Sequence, residues 1–187
     1  EKKKAKIYEQ SMGELEPYGI HIINFNKLSN KEGKVLETYF DHQIMPFLSP
    51  ILVDKQQPFP FLNNKELYAI VVLDGKNGKQ TGIVPCSNSV FKRLIEIPTR
   101  PGNFMLSEEL ILHFVEKLFP HYLIKEKAVM RCTRNADIDA ADVYDEDLDY
   151  RDIMEHLIKK RSRLSPVRLE LSREINEKAK KEICSFK

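Results

Sequence analysis

Leu67-Tyr-Ala-Ile-Val-Val-Leu73, followed by Asp74-Gly75-Lys-Asn77-Gly78 and Thr81-Gly-Ile-Val84, is the stretch on which the fold turns. The first run is apolar without interruption and rich in β-branched residues, which predicts a buried strand. Asp-Gly and Asn-Gly supply the left-handed backbone of a tight hairpin turn, so the second run returns antiparallel to the first. A hairpin at the centre of the chain, with helices and strands in irregular order around it, argues against a doubly wound parallel sheet. The expected class is α+β: a mixed, largely antiparallel sheet packed with helices, a single domain with flanking helices.

Outward toward the N-terminus, Pro46, Pro50, Pro58 and Pro60 mark a rigid, aromatic-lined connection, because proline removes backbone donors. Before it, Ser29-Asn-Lys-Glu32 has the form of a capping box and opens a helix with Val35, Leu36, Tyr39, Phe40 and Ile44 on one face. Ile20 to Phe25 reads as a strand, and residues 1–16 as a helix that stops before Pro17 and packed against something upstream. Toward the C-terminus a strand is expected near Leu94 to Ile97. Ser107 is then expected to cap a helix facing the core with Leu110, Ile111, Phe114, Val115 and Leu118, and Pro120 to end it. Ala128 to Thr133 is a further strand. An acidic stretch from Asp137 to Asp152 leads into a helix with Tyr150, Ile153, Met154, Leu157 and Ile158 on its apolar face. Acidic residues at its start and Lys159, Lys160 and Arg161 at its end complement the helix dipole. Val167 to Leu171 alternates as a half-buried strand does, and a charged helix runs from about Arg173.

At 187 residues the chain suits one domain, and about 70% of its extended surface is buried on folding, enough for a core without staples. Thirty Lys and Arg against 28 Asp and Glu leave a net charge of +2, which is not that of a general nucleic-acid binder. Mean hydropathy is −0.42 and no apolar run is long enough to span a bilayer. Three widely spaced cysteines without a Cys-x-x-Cys exclude a zinc ribbon or disulfide framework and point to a reducing cytosol. The chain begins at Glu1 and has charged helical sequence at both ends, so it reads as a segment of a larger protein.

Candidate chemistry is sparse. There is no P-loop, G-x-G-x-x-G, G-x-S-x-G or H-E-x-x-H, and no two of the five histidines show an i,i+4 metal pair. Asp137, Asp139 and Asp142 lack EF-hand spacing, and a solvated loop with a dipole-matched helix start accounts for them better than a metal site. The informative segment is Met130-Arg-Cys-Thr-Arg-Asn-Ala-Asp137, with two arginines, a hydroxyl and an amide at a strand end. Arg161, Arg163 and Arg168 follow. Guanidinium forks suit phosphate oxygens, but from spacing alone the arginines are better read as structural bridges to nearby aspartates.

Five strings in order carry a resemblance: Ile44-Met-Pro-Phe-Leu-Ser-Pro-Ile-Leu-Val-Asp54, Pro58-Phe-Pro-Phe-Leu62, Leu118-Phe-Pro120, Met130 to Asp137, and Val167-Arg-Leu-Glu170. Together, over about Tyr18 to Leu171, they resemble the bacterial polyphosphate kinase family, in its head or middle domain. The chain departs from the family at His121, where glycine often stands, and at Arg163-Leu-Ser-Pro166 in place of Arg-Phe-Gly.

The resemblance implies three parts. Residues 1–17 are the tail of a preceding helical domain, 18–172 the head domain, and 173–187 a charged helix leading to catalytic domains. It implies a parent enzyme that moves the terminal phosphate of ATP onto polyphosphate, reversibly, with Mg²⁺ and through a phosphohistidine. No catalytic residue, metal ligand or cofactor transfers to this chain, which is expected to be inactive alone. Implied partners are the remaining domains of the same polypeptide and a second copy in a homo-oligomer. No nucleic acid and no transmembrane segment are implied, and the location is cytoplasmic or peripheral to the inner membrane.

Three readings of function follow. The domain serves dimer assembly and enzyme architecture, with Thr133, Asn135, Asp137, Arg168, Phe59 and Phe61 as structural or interface residues. Or Arg131, Arg134, Arg161 and Arg163 touch polyphosphate directly as part of a tunnel wall. Or the chain is a free-standing interaction module built on the Pro-Phe-Pro-Phe loop.

Overall fold

The computed structural model describes residues 2–53, 60–75, 78–87, 90–135, 151 and 165–185. The expected strand, buried on both sides, is present at the centre. β3 (Leu67–Gly75) pairs antiparallel with β4 (Gly78–Pro85) on one side and with β7 (Leu123–Arg134) on the other. β2 (Ile51–Val53) and β8 (Pro166–Leu171) close the ends, giving a fully antiparallel order β2-β4-β3-β7-β8. A second sheet has β6 (Asn103–Leu106) at its centre, parallel to β1 (His21–Ile22) and antiparallel to β5 (Leu94–Glu96). The α+β class holds, with two sheets among the described residues in place of one.

Alternation along β3 explains its continuous apolar run. Ala69, Val71 and Leu73 enter one core cluster, while Tyr68, Ile70 and Val72 enter another on the opposite face. Antiparallel sheets commonly leave one face to water; this one has neither face wet along β3. The first face is covered by α2 (Asn30–Tyr39), the π-helical turn Phe40–Ile44 that continues it, and α3 (Ser107–Phe114). The second face is covered by Leu62 and by Ile175, Ala179 and Ile183 of the C-terminal segment, which ends in α4 (Glu177–Ser185). α1 (Lys2–Leu15) stands largely exposed ahead of β1.

The capping box forms as expected. Ser29 Oγ accepts from the Glu32 amide at 3.4 Å, and Glu32 accepts from the Ser29 amide at 2.7 Å. Leu36, Phe40 and Ile44 are fully buried, but Val35 is exposed, because the core lies under that one stripe and Val35 sits about 100° away from Leu36. The strand expected over Ile20 to Phe25 shortens to His21–Ile22, since Phe25 begins a 3₁₀ turn and sends its ring to His113, 3.5 Å away and stacked. Ser107 does not cap α3. It is the first helical residue, with its amide on Arg93 O at 2.8 Å and its hydroxyl toward the buried carboxylate of Glu108 at 3.4 Å.

Three elements exceed expectation. β2 emerges from the proline-rich connection as an edge strand, where missing donors on the free side cost nothing. β6 follows Gly102, whose positive φ of 79° and close approach to the Gly19 carbonyl exclude a side chain there. β7 starts at Leu123, not Ala128, because Asp74 and Leu73 of β3 pair with Leu123 and Ile124. The final helix begins at Glu177, after a link from Ser172 to Asn176 without regular structure. The acidic stretch, the helix expected beyond Tyr150 and the residues Asp54 to Phe59 lie outside the described residues.

Candidate functional site: arginines at the end of the sheet

The β7–β8 ladder sets the candidate arginines. Arg131 lies opposite Glu170 and Thr133 opposite Arg168, so these four share one face of the strand pair. Arg131 donates Nε at 2.8 Å and Nη2 at 2.6 Å to Glu170 Oε2, and Arg168 Nη2 sits 2.7 Å from Oε1. One carboxylate therefore holds two guanidiniums, one per oxygen. The Arg131 hydrogen bonds, followed by the charges of Arg131, Arg168 and Lys4, hold the Glu170 carboxyl below its ordinary range. Side-chain exposure is 39% for Arg131, 48% for Arg168 and 26% for Glu170.

Arg134 is not part of that group. The β7–β8 register shifts between Thr133 and Arg134, and Arg134 turns to the segment that feeds Leu62 into the second core. Its Nε donates to Leu62 O at 2.9 Å, its amide to Asn64 Oδ1 at 2.9 Å, and its guanidinium lies 4.1 Å from the Phe61 ring centre. This is a cation–π contact on a ring 55% exposed. Asn135 donates its amide to Ser165 O at 2.9 Å, holding the two strand ends together. The structure thus brings Arg131, Thr133 and Arg168 together and sends Arg134 elsewhere. Arg161, Arg163, Asp137 and Phe59 lie outside the described residues.

Among the described residues, Glu170 of β8 bridges Arg131 and Arg168; the aspartates of the acidic stretch lie outside them. The alternation Val167-Arg-Leu-Glu170 already placed Arg168 and Glu170 on one face; only the register with Arg131 was missing. Two further carboxylates make ties that the sequence alone did not reveal. Glu32, buried at the start of α2, accepts from Thr99 Oγ1 at 3.2 Å and Arg100 Nη2 at 3.1 Å as well as from Ser29. Those Ser29 hydrogen bonds, with Thr99 and the Arg100 charge adding to them, pull its carboxyl down to about 2. Glu108, also buried, binds Arg93 Nη2 at 2.6 Å. Both tie distant loops to helix starts; the sequence marks Glu32 as part of a capping box and Glu108 as one of two adjacent acids before an apolar helical stripe.

The remaining groups are suited to packing. Burial pushes the Cys86 thiol up to about 12 and raises that of Cys132. Burial, with the charge of Lys127, lowers the pKa of His113, whose ring is stacked on Phe25 and edge-on to Phe114. Among the described residues there is no group of three His, Cys, Asp or Glu that could hold a metal, and no helix long and apolar enough to cross a membrane.

Comparison with known proteins accounts for this arrangement. The family model described as the polyphosphate kinase middle domain matches residues 31–186. The polyphosphate kinase of Halalkalibacterium halodurans is 41% identical over 162 residues, covering 84% of this chain and 23% of that protein. The polyphosphate kinase of Bacillus cereus is 35% identical over 168 residues, covering 86% of this chain and 24% of its own length. The chain thus spans about a quarter of the length of the curated relatives it matches. The crystal structure of a polyphosphate kinase from Porphyromonas gingivalis superposes with a TM-score of 0.71 over 96% of this chain and 25% of that one; at 19% identity this is a likeness of fold. With the family model covering most of the chain and the fold in agreement, the chain belongs to the polyphosphate kinase family, in its middle domain.

Proposed function

We propose that this domain serves a polyphosphate kinase as scaffold: it contributes to dimer assembly and to the architecture that surrounds the reaction, and carries none of the chemistry. The parent enzyme transfers the terminal phosphate of ATP onto polyphosphate with Mg²⁺, reversibly, through a phosphohistidine held by other domains. The partners are those domains and a second copy of the chain, in the cytoplasm or at the inner face of the membrane. The observation that carries this reading is the engagement of the arginines by the fold itself. Arg131 and Arg168 grip Glu170, and Arg134 is committed to Leu62 O and Phe61. Family membership removes the need for a free-standing interaction module.

One observation favours direct polyphosphate contact as a second reading. Arg131 and Arg168 lie side by side at the strand end, their side chains 39% and 48% exposed. Titration of the chain with labelled polyphosphate at low and moderate salt separates the two. As scaffold, the folded chain shows no salt-sensitive binding, and an Arg131→Ala, Arg134→Ala variant behaves alike. Tight binding that weakens with salt, as counterion release requires, and is lost in the variant would make the domain part of the phosphate track. Turnover of ATP into polyphosphate by the pure chain would overturn the scaffold reading altogether.

A further inference from the structure

The C-terminal helix is attached to the sheet differently from every strand in it. β3 is hydrogen-bonded along both edges and buried on both faces. α4 lies on the second face through Ile175, Ala179 and Ile183, while Glu177, Lys181 and Cys184 face solvent. Its start is fastened by one carboxylate. Glu126 of β7 accepts the Asn176 amide at 2.6 Å on Oε2 and the Asn176 side-chain amide at 2.7 Å on Oε1. Asn176 Oδ1 in turn accepts from the Ala179 amide at 2.9 Å, capping the helix. These hydrogen bonds from Asn176 hold the Glu126 carboxyl below its ordinary range, and Lys79 adds its charge.

Glu126 stands on the second face by alternation with Ala128 and Met130, and an irregularity adjoins it. Val72 pairs with Glu126 but Leu73 with Ile124, so the register slips by one residue and Lys125 has no opposite number. Such a bulge twists a strand and re-aims side chains beside it. Here the neighbouring carboxylate meets the chain returning from β8.

We infer that α4 is a strap: it lifts from the second face of the sheet as a unit, leaving the β2-β4-β3-β7-β8 ladder intact, and the Glu126–Asn176 latch governs how often it does so. Among the described residues, lifting the segment from Ile175 onward uncovers three apolar side chains and breaks one charge-assisted latch, the Arg173–Glu109 pair at 2.6 Å lying ahead of it. Opening β3 breaks two ladders and both cores. Units that differ so much in buried contact open at different free energies. The lifted state bares the apolar sheet face around Ile70, Ile83 and Met130 while the first core stays closed.

Native-state hydrogen exchange of the 187-residue chain tests this, with Glu126→Ala and Asn176→Ala as variants on the two sides of the latch. The unmodified chain is expected to exchange the amides of α4 at least about tenfold faster than those of β3. Each variant accelerates α4 by a further factor of about ten or more, the worth of a hydrogen bond to a charged group, with β3 and β4 unchanged. Equal protection of α4 and β3 in the unmodified chain overturns the strap, as does acceleration of both in step. No acceleration of α4 in either variant overturns the latch. Should Glu126→Ala fail to fold, latch loss has collapsed the whole sheet and the strap is refuted, since a separable strap leaves β3 standing.

Discussion

Along β3 both faces of the five-stranded sheet are dry, but they are closed by different means. The first face meets Leu36, Phe40 and Ile44 from α2 and its π-helical continuation, and Leu110, Ile111 and Val115 from α3 and the turn after it. Those elements are themselves cross-tied, Glu32 to Arg100 across the loop after β5, and Lys117 to Glu37 and Asp41 at 2.8 Å each. Among the described residues the second face meets one short helix and two residues outside it, Leu62 and Ile175. Burial alone does not separate the two, since Phe40 and Met130 are both fully buried. What separates them is how many independent attachments must fail before water enters.

The largest effect is expected on the first face. Phe40→Ala removes a fully buried ring that packs 5.2 Å from the Phe114 ring centre. It should cost about 3–5 kcal/mol in urea unfolding. Ile183→Ala on the second face should cost about 2 kcal/mol, the low end for such a truncation, because a helix that can shift collapses part of the cavity. Equal costs would break the comparison. Next comes Gly82→Ala in β4, where the new methyl would meet Val71 Cγ2 at 2.6 Å and Phe119 Cζ at 2.7 Å. Overpacking there should cost about 1–3 kcal/mol, read as a lower urea midpoint with an unchanged slope.

The first face also contributes the clearest pH response. Glu32 has its carboxyl pulled from an ordinary 4.5 to about 2 in the folded chain. A depressed carboxylate adds stability that is fully present above the unfolded value and is lost as pH falls toward the folded one. Between about pH 4.5 and 2 the unfolding midpoint should therefore fall, and Glu32→Gln should flatten that part of the profile while lowering stability at neutral pH. An unchanged slope in the variant would remove Glu32 from the account.

The central hairpin was legible because β-branched residues, period and turn chemistry agree over Leu67 to Val84. The capping box was legible because its two hydrogen bonds are local. β6 was not, since Asn103–Leu106 is four residues long and follows Pro101-Gly102; only its partners make it a strand. β7 was read short because Lys125-Glu-Lys127 looks like surface, yet its backbone continues the ladder and Glu126 fastens Asn176. The arginines show the same limit. Arg131 and Arg134 are close in sequence, but a register shift puts them to different tasks, and Glu170, 39 residues on, decides what Arg131 does.

The smallest effect is a rate order among thiols, and it samples each region. Cys86 belongs to the first core, Cys132 to the second, and Cys184 to the exposed side of α4. The thiolate is the reactive form, so a thiol pushed up to about 12 and enclosed, as Cys86 is, reacts only when its surroundings open. Cys132 is also buried and raised by burial, though the Arg134 charge opposes the shift. Under native conditions a disulfide reagent should titrate one thiol per chain quickly, Cys184, then Cys132, and Cys86 last. If the first core is the better tied, adding low urea should accelerate Cys132 before Cys86. The reverse order would mean that the cross-ties of the first face count for less than the ladder hydrogen bonds the two faces share, and that sheet and helices open as one unit.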